Sequence, residues 1–152
     1  MTSHLDTYRA YYDASRANPP QSIIEANKRY LADDFQSVDK EGNVQMDKAA
    51  YMGMTQLLFG AFDDFDAVVS DYHEEGDNVI VSSHFEGTQT GDLDLSAWGL
   101  GSIPSSGKRI VWPETSTRWS FRGDKITRIQ ENDDAGGLDK FLAALGMQAP
   151  GT

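Results

Sequence analysis

The run RIVWPETSTRWSF at residues 109–121 admits few architectures. Ile110, Val111, Trp112, Thr115, Thr117, Trp119 and Phe121 are β-branched or aromatic, which suits a half-buried pleated surface, and no longer strand candidate is present in the chain. Gly123-Asp124 then separates Arg122 from Lys125. A glycine at the first central position suits a type II′ turn, so residues 126–131 return as the second arm of a hairpin. With the Gly/Ser/Pro-containing loop at 90–108 and the apolar run before it, residues 84–132 predict a strongly curved antiparallel sheet with function inside its curve.

At 152 residues the chain is one domain, able to bury roughly two thirds of its unfolded surface. It has no cysteine, which removes disulfide and thiol chemistry. The net charge of −11 lacks the clustered cations that phosphate-backbone binding needs, so no nucleic-acid partner is expected. Neither a basic, apolar leader pattern nor an apolar run of the roughly 18 residues a membrane span needs is present, and the expectation is a cytoplasmic protein without a membrane partner. The acidic run at 63–77 lacks the spacing and central glycine of a calcium loop and reads as a solvated face.

Along the chain, Ser3 is an N-cap candidate with Asp6 three residues on, and Leu5, Tyr8 and Tyr12 recur at helical spacing to about Ser15. Pro19-Pro20 stops that helix. A second starts near Gln21, carries Ile23, Ile24, Tyr30 and Leu31, and ends before Asp33. Residues 35–38 form a short strand closed by a turn at Lys40-Glu41-Gly42. Asp47 caps a third helix that stops at Gly60. Residues 65–73 and 79–85 alternate as two strands about Gly76-Asp77-Asn78, and residues 138–145 form a C-terminal helix. Helices segregated from meandering strands define an α+β domain: a cone-shaped curved antiparallel sheet wrapped around the N-terminal helices, enclosing a small-molecule cavity.

Most catalytic signatures are absent. His4, His73 and His84 lack zinc spacing, so no metal is expected. Gly99-Leu100-Gly101 has no strand-to-helix context, and no GxSxG elbow exists. Titratable residues on strands remain. Glu131, near the end of the last strand, is either an acid or base in a pocket or a solvated partner of an arginine such as Arg118. Asp39 either projects into the same mouth or forms the turn, and His84 is either a pocket base or a satisfied sheet histidine. Phe85, Trp98, Trp112, Trp119 and Tyr12 are candidates to line the cavity, or simply core.

Four segments carry a resemblance: Gly87-Thr88-Gln89-Thr90-Gly91, Ser105-Ser106-Gly107-Lys108, the Phe121-Arg122-Gly123-Asp124-Lys125-Ile126 hairpin and the tail at 134–146. Together they resemble the SnoaL-like polyketide cyclase or ester cyclase family of the nuclear transport factor 2 superfold. The resemblance implies a curved-sheet cone, commonly dimeric, and an aldol closure of a polyketide ester without organic cofactor or metal. It places the family's acid–base aspartate on Glu131 and its assisting histidine on Thr117. Thr117 and Gln89 depart from the family's histidines. Ketosteroid isomerases share the superfold; their base aligns with Asp39, their oxyanion-hole acid with Thr117, and Tyr11 or Tyr12 stands near their first-helix tyrosine.

The reading is an acid–base enzyme acting on a small hydrophobic carbonyl compound, the alternatives being an isomerase or a non-catalytic binding module. It contains a conflict. A two-residue turn at Gly123-Asp124 with regular pairing sets Thr117 opposite Gln130 and turns Glu131 to the other face, so Thr117 and Glu131 meet only if a bulge supplies one extra residue. The loop at 90–108, with Leu93, Leu95, Trp98, Leu100 and Ile103, is expected to pack back across the cavity mouth as a lid or wall. A sheet whose convex face carries alternating apolar residues needs a cover, so a homodimer formed sheet to sheet through residues 79–85 and 109–121 is expected. Sedimentation at micromolar concentration should then give a dimer; a monomer alone excludes it.

Overall fold

The computed structural model describes residues 3–96 and 101–133. Trp98 and the expected helix and tail motif at 134–146 lie outside the described residues. The order is α1 (His4–Arg16), α2 (Gln21–Tyr30), β1 (Leu31–Val38), β2 (Val44–Asp47), α3 (Lys48–Ala61), β3 (Asp66–Glu75), β4 (Asn78–Thr88), β5 (Leu93–Asp94), β6 (Ser102–Ile103), β7 (Arg109–Val111), β8 (Thr115–Arg122) and β9 (Lys125–Glu131). The helix starts follow local chemistry. Ser3 Oγ accepts from the Asp6 N–H at 3.1 Å, and the Asp47 carboxylate accepts from Ala50 N–H at 2.8 Å. Gly60 does not stop α3, which continues to Ala61 and closes with Phe62 N–H on Leu58 O at 2.8 Å.

Seven strands form one curled sheet in the order β2-β1-β9-β8-β4-β3, with β7 also on β4, and the helices pack inside its curve as an α+β fold. The sheet is mixed. β1 runs parallel to β9, and the expected short strand begins four residues earlier, at Leu31. Leu31, Phe35 and Val38 are fully buried, and this burial favours strand over a further half-turn of α2.

Curvature comes from irregular pairing. On β3, Ser70 is extra between Val69↔Ser83 and Asp71↔Ser82. On β9, Thr127 is extra between Phe121↔Ile126 and Ser120↔Arg128. The expected single long strand at 109–121 is broken at Trp112-Pro113-Glu114: three steps along β4, from Glu86 to Ser83, face four along its partner, from Val111 to Thr115. Proline has no N–H to give a ladder, which confines it to such bulges and edges. The ladder resumes around it through Trp112 N–H on Phe85 O at 2.9 Å.

Two clusters fill the interior. Tyr8, Leu31, Phe35, Val79, Val81, Trp119, Ile126 and Ile129 form one. Met54, Leu58, Ala61, Phe62, Leu93, Leu95 and Trp112 form the other. The second cluster explains the apolar loop: Leu93 and Leu95 are fully buried against α3 and Phe62, so of the two expected roles, lid or wall, this part of the loop takes that of a wall. The loop leaves the helix so closely that a Cβ on Gly91 would stand 2.8 Å from Gly60 O. The convex face differs from expectation too. On that face of β4, β7 and β8 the polar residues Ser82, His84, Glu86, Arg109, Ser116, Arg118 and Ser120 outnumber the apolar Ile80 and Val111, and the sheet-to-sheet dimer is left to the sedimentation test.

Gln89 ties the loop from within. Its Nε2 donates to the carbonyls of Gly91, Ile103 and Pro104 at 3.1–3.3 Å, and its Oε1 accepts from Ser106 Oγ at 3.1 Å. At 2 % exposure it has no water to fall back on. Gln89→Leu should therefore cost about 2–4 kcal/mol, since orphaned buried acceptors each cost about 1–3 kcal/mol. Urea unfolding gives the loss, and hydrogen exchange should show protection falling first in residues 90–108.

Candidate active site

A cavity of about 190 Å³ lies between α3 and the concave face of the sheet. Its walls follow from strand alternation: Ser83 and Phe85 of β4, Thr115, Thr117 and Trp119 of β8, and Ile129 and Glu131 of β9 all face inward. Along α3, Tyr51, Met54, Thr55 and Leu58 recur at i, i+3, i+4 and i+7 and present one stripe to the same space. Trp119 forms the floor, its ring edge-on to Tyr8 at 5.0 Å and tilted against Tyr11 at 5.6 Å. On one side Phe65 stacks on Phe85 at 5.3 Å and meets Trp112 edge-on at 5.9 Å.

The extra residue at Thr127 restores the pairing that a plain hairpin forbids. Both parts of the conflict hold: Arg122 pairs with Lys125 across the two-residue turn, with Gly123 at φ +64°, and Thr117 pairs with Glu131. Asn132 N–H donates to Ser116 O at 2.9 Å, so the neighbouring Thr117–Glu131 pair is the non-hydrogen-bonded kind, in which facing side chains stand closest. The Thr117 hydroxyl is committed. It accepts from Trp119 Nε1 at 2.9 Å and donates to Val81 O at 3.3 Å.

Glu131 therefore brings a carboxylate into an otherwise largely apolar space, with its Oε2 buried. Its charge is felt by Tyr51. Burial first, and then the negative charge of Glu131, push the Tyr51 phenol up to about 12. Tyr11, deeper, is also raised by burial and donates its hydroxyl to Asn27 Oδ1 at 2.6 Å.

Among the residues singled out from sequence, Phe85, Trp112, Thr117, Trp119 and Glu131 line the cavity. Asp39, His84 and Tyr12 do not. Asp39 forms the turn after β1: its N–H donates to Asn43 O at 2.9 Å and its carboxylate accepts from Asn43 N–H at 2.8 Å. His84 lies on the convex face with Glu86 at 2.9 Å; its hydrogen bond, with help from Arg109, holds the Glu86 carboxyl below its ordinary value. Tyr12 carries the Arg16 guanidinium over its ring at 5.2 Å. Arg118 is drawn outward, to Glu75 at 3.4 Å. Ser37 and Tyr51 were missed. The signal for Tyr51 was the spacing of Tyr51, Met54, Thr55 and Leu58, hidden in a helix whose apolar residues read as core.

The chain belongs to the SnoaL-like domain family, whose model matches residues 6–129. No curated protein matches it. Among solved structures it is similar to a protein from Jannaschia sp. CCS1 described as a SnoaL-like polyketide cyclase, at 18 % identity and a TM-score of 0.66 over 95 % of this chain and 92 % of that one. A SnoaL-like polyketide cyclase from Agrobacterium tumefaciens aligns at 15 % identity and a TM-score of 0.60, over 86 % of this chain and 91 % of that one. A protein with a ketosteroid isomerase-like fold from Catenulispora acidiphila, in complex with trimethylamine, aligns at 18 % identity and 0.58 over 99 % of both chains. At these identities the likeness establishes the fold.

A negative charge beside a phenol opposes its ionisation, so Glu131→Gln should move the Tyr51 titration down from about 12 toward the ordinary 10.0 without reaching it, because burial remains. Carbon NMR of ring-labelled tyrosine reads this directly. An unchanged Tyr51 titration would show that the Glu131 charge is not turned toward it.

Proposed function

We propose that the protein is an acid–base enzyme acting on a small apolar carbonyl compound, with Glu131 as the proton-transfer group. The observation that carries this is a carboxylate, alone of its kind among the described residues that line the cavity, set opposite Thr117 on the concave face between mainly aromatic and aliphatic side chains. A carboxylate partly withdrawn from water is a stronger base and can hold a proton between steps. Among the described residues that line the cavity there is no lysine, arginine or histidine, which favours an uncharged substrate over an acid.

The chemistry that fits is an intramolecular aldol closure. Glu131 removes a proton from the carbon next to one carbonyl, and the C–H electron pair moves into the enolate. The enolate carbon bonds to a second carbonyl carbon, and that carbonyl's π pair becomes an alkoxide, which takes back the proton from Glu131. Nothing is consumed besides the substrate. The polyketide cyclase names of the similar structures support this reaction class. Thr117, with its hydroxyl bound at both ends, positions Trp119 and the floor instead of moving protons. A volume of about 190 Å³ slightly exceeds the ~150 Å³ that accommodates benzene, so the enclosed part suits one or two rings. The isomerase alternative loses its base, because Asp39 is spent in a turn.

Against a panel of aryl and alkyl diketo esters, followed by mass spectrometry for cyclised product, Glu131→Gln should lower turnover by roughly 10²–10⁴-fold. Binding should change little, since the amide keeps the shape and removes the proton-transfer group. A Glu131→Gln protein that cyclises at the parent rate would leave the cavity as a binding site only.

A further inference from the structure

Enolate chemistry needs a donor for the developing oxyanion as well as a base, and the cavity's hydroxyls are not equal in this respect. The Thr117 hydroxyl is spent on Val81 O and Trp119 Nε1, and the hydroxyl of Tyr11, whose ring packs against Trp119 and is not part of the cavity lining, on Asn27 Oδ1. Tyr51 is differently placed. It is the first residue of the α3 stripe, lines the same cavity as Glu131, and has its ring fixed edge-on against Phe35 at 5.2 Å. Among the described residues no acceptor takes a hydrogen bond from its hydroxyl.

We propose that Tyr51 is a second catalytic residue, donating its phenolic O–H to the substrate carbonyl oxygen while Glu131 takes the proton from the adjacent carbon. This rests on the acid–base reading of Glu131 and adds the group that stabilises the enolate. A phenol is a better donor to an oxyanion than the aliphatic hydroxyls of Ser37, Ser83 or Thr115, because its acidity lies far closer to that of an enol. Its raised titration keeps it protonated, hence a donor, throughout the neutral range. The base and the donor come from different layers, β9 and α3, so a planar carbonyl compound held between helix and sheet can present its C–H edge to one and its oxygen to the other. No proton leaves Tyr51 in the cycle; its hydrogen bond strengthens as charge builds on oxygen and relaxes as the new carbon–carbon bond forms.

The test uses ionisable mimics of an enolate and needs no substrate. In the full-length Glu131→Gln protein, whose amide imitates the protonated base, 4-nitrophenol should bind as the phenolate, seen by its absorbance, and 4-nitroanisole as its neutral counterpart. Adding Tyr51→Phe should weaken the phenolate by roughly 10- to 100-fold, the worth of a hydrogen bond to a charged group, and leave the anisole within about twofold. Equal phenolate affinity with and without the Tyr51 hydroxyl overturns the proposal. If Tyr51→Phe loses both ligands together, the deciding measurement is made on the unsubstituted tyrosine: the ring-carbon resonance of Tyr51 should move when the phenolate binds and stay when the anisole binds, and an unmoved resonance is equally fatal. The Glu131 reading is judged apart. Glu131→Gln alone should strengthen phenolate binding over the parent by removing a like charge, and a failure there leaves the Tyr51 result standing on its own.

Discussion

The pairing of β8 with β9 decides what this domain can do. In a sheet, neighbouring side chains point to opposite faces, so one residue more or less in a strand exchanges the inside for the outside. Thr127 is that residue. It lets Ile126 seal the narrow end of the cone, where it is fully buried, and still turns Ile129 and Glu131 inward. Without it, Gln130 and Arg128 would face the aromatic floor. A cationic guanidinium there would have to be desolvated against Trp119, at a cost of several kcal/mol. The bulge and the buried apolar residues around it are therefore mutually supporting: the hydrophobic demand of Ile126 and Ile129 holds the offset in place.

The same device recurs at Ser70 and at Pro113, and each has its own consequence. At Pro113 the sheet changes direction, and β4 passes from β8 to β7 as partner. The corner swings Trp112 into the second core cluster while leaving Val111 60 % exposed on the other side. That aromatic corner and the stripe of α3 form the two long walls of the cavity. The described parts of the loop, residues 90–96 and 101–108, stiffen the structure from behind, anchored on a glutamine whose polar atoms are all engaged.

How far the sequence could be read depended on the range of the interactions involved. Local signals were sufficient for the helix caps at Ser3 and Asp47 and for the Gly123 turn, because each involves residues a few positions apart. The cone itself followed from β-branched and aromatic runs together with the family resemblance. What did not follow was set by contacts distant in sequence. Leu31 joins a strand only because β9, some 95 residues on, lies beside it, and the parallel pairing of β1 with β9 has no local signature. Of the site, Glu131 and Thr117 could be named, but their meeting hinged on a bulge that hydrophobic alternation leaves ambiguous. Tyr51 was invisible for a different reason: an amphipathic stripe that faces a cavity has the same spacing as one that faces solid core. Asp39 and His84 stayed open between two roles because a carboxylate before a turn and a histidine on an alternating strand are each compatible with either face.

Two of the three tryptophans, Trp112 and Trp119, share the cavity, one in its wall and one as its floor. Their indoles are placed where any occupant must displace solvent from them, with Trp119 additionally held at its N–H by Thr117 and at its ring by Tyr8. The protein thus carries an optical probe inside its own ligand space: emission colour and quenching should follow occupancy continuously, so that compounds of unknown reactivity can be ranked by the light the unlabelled chain gives back.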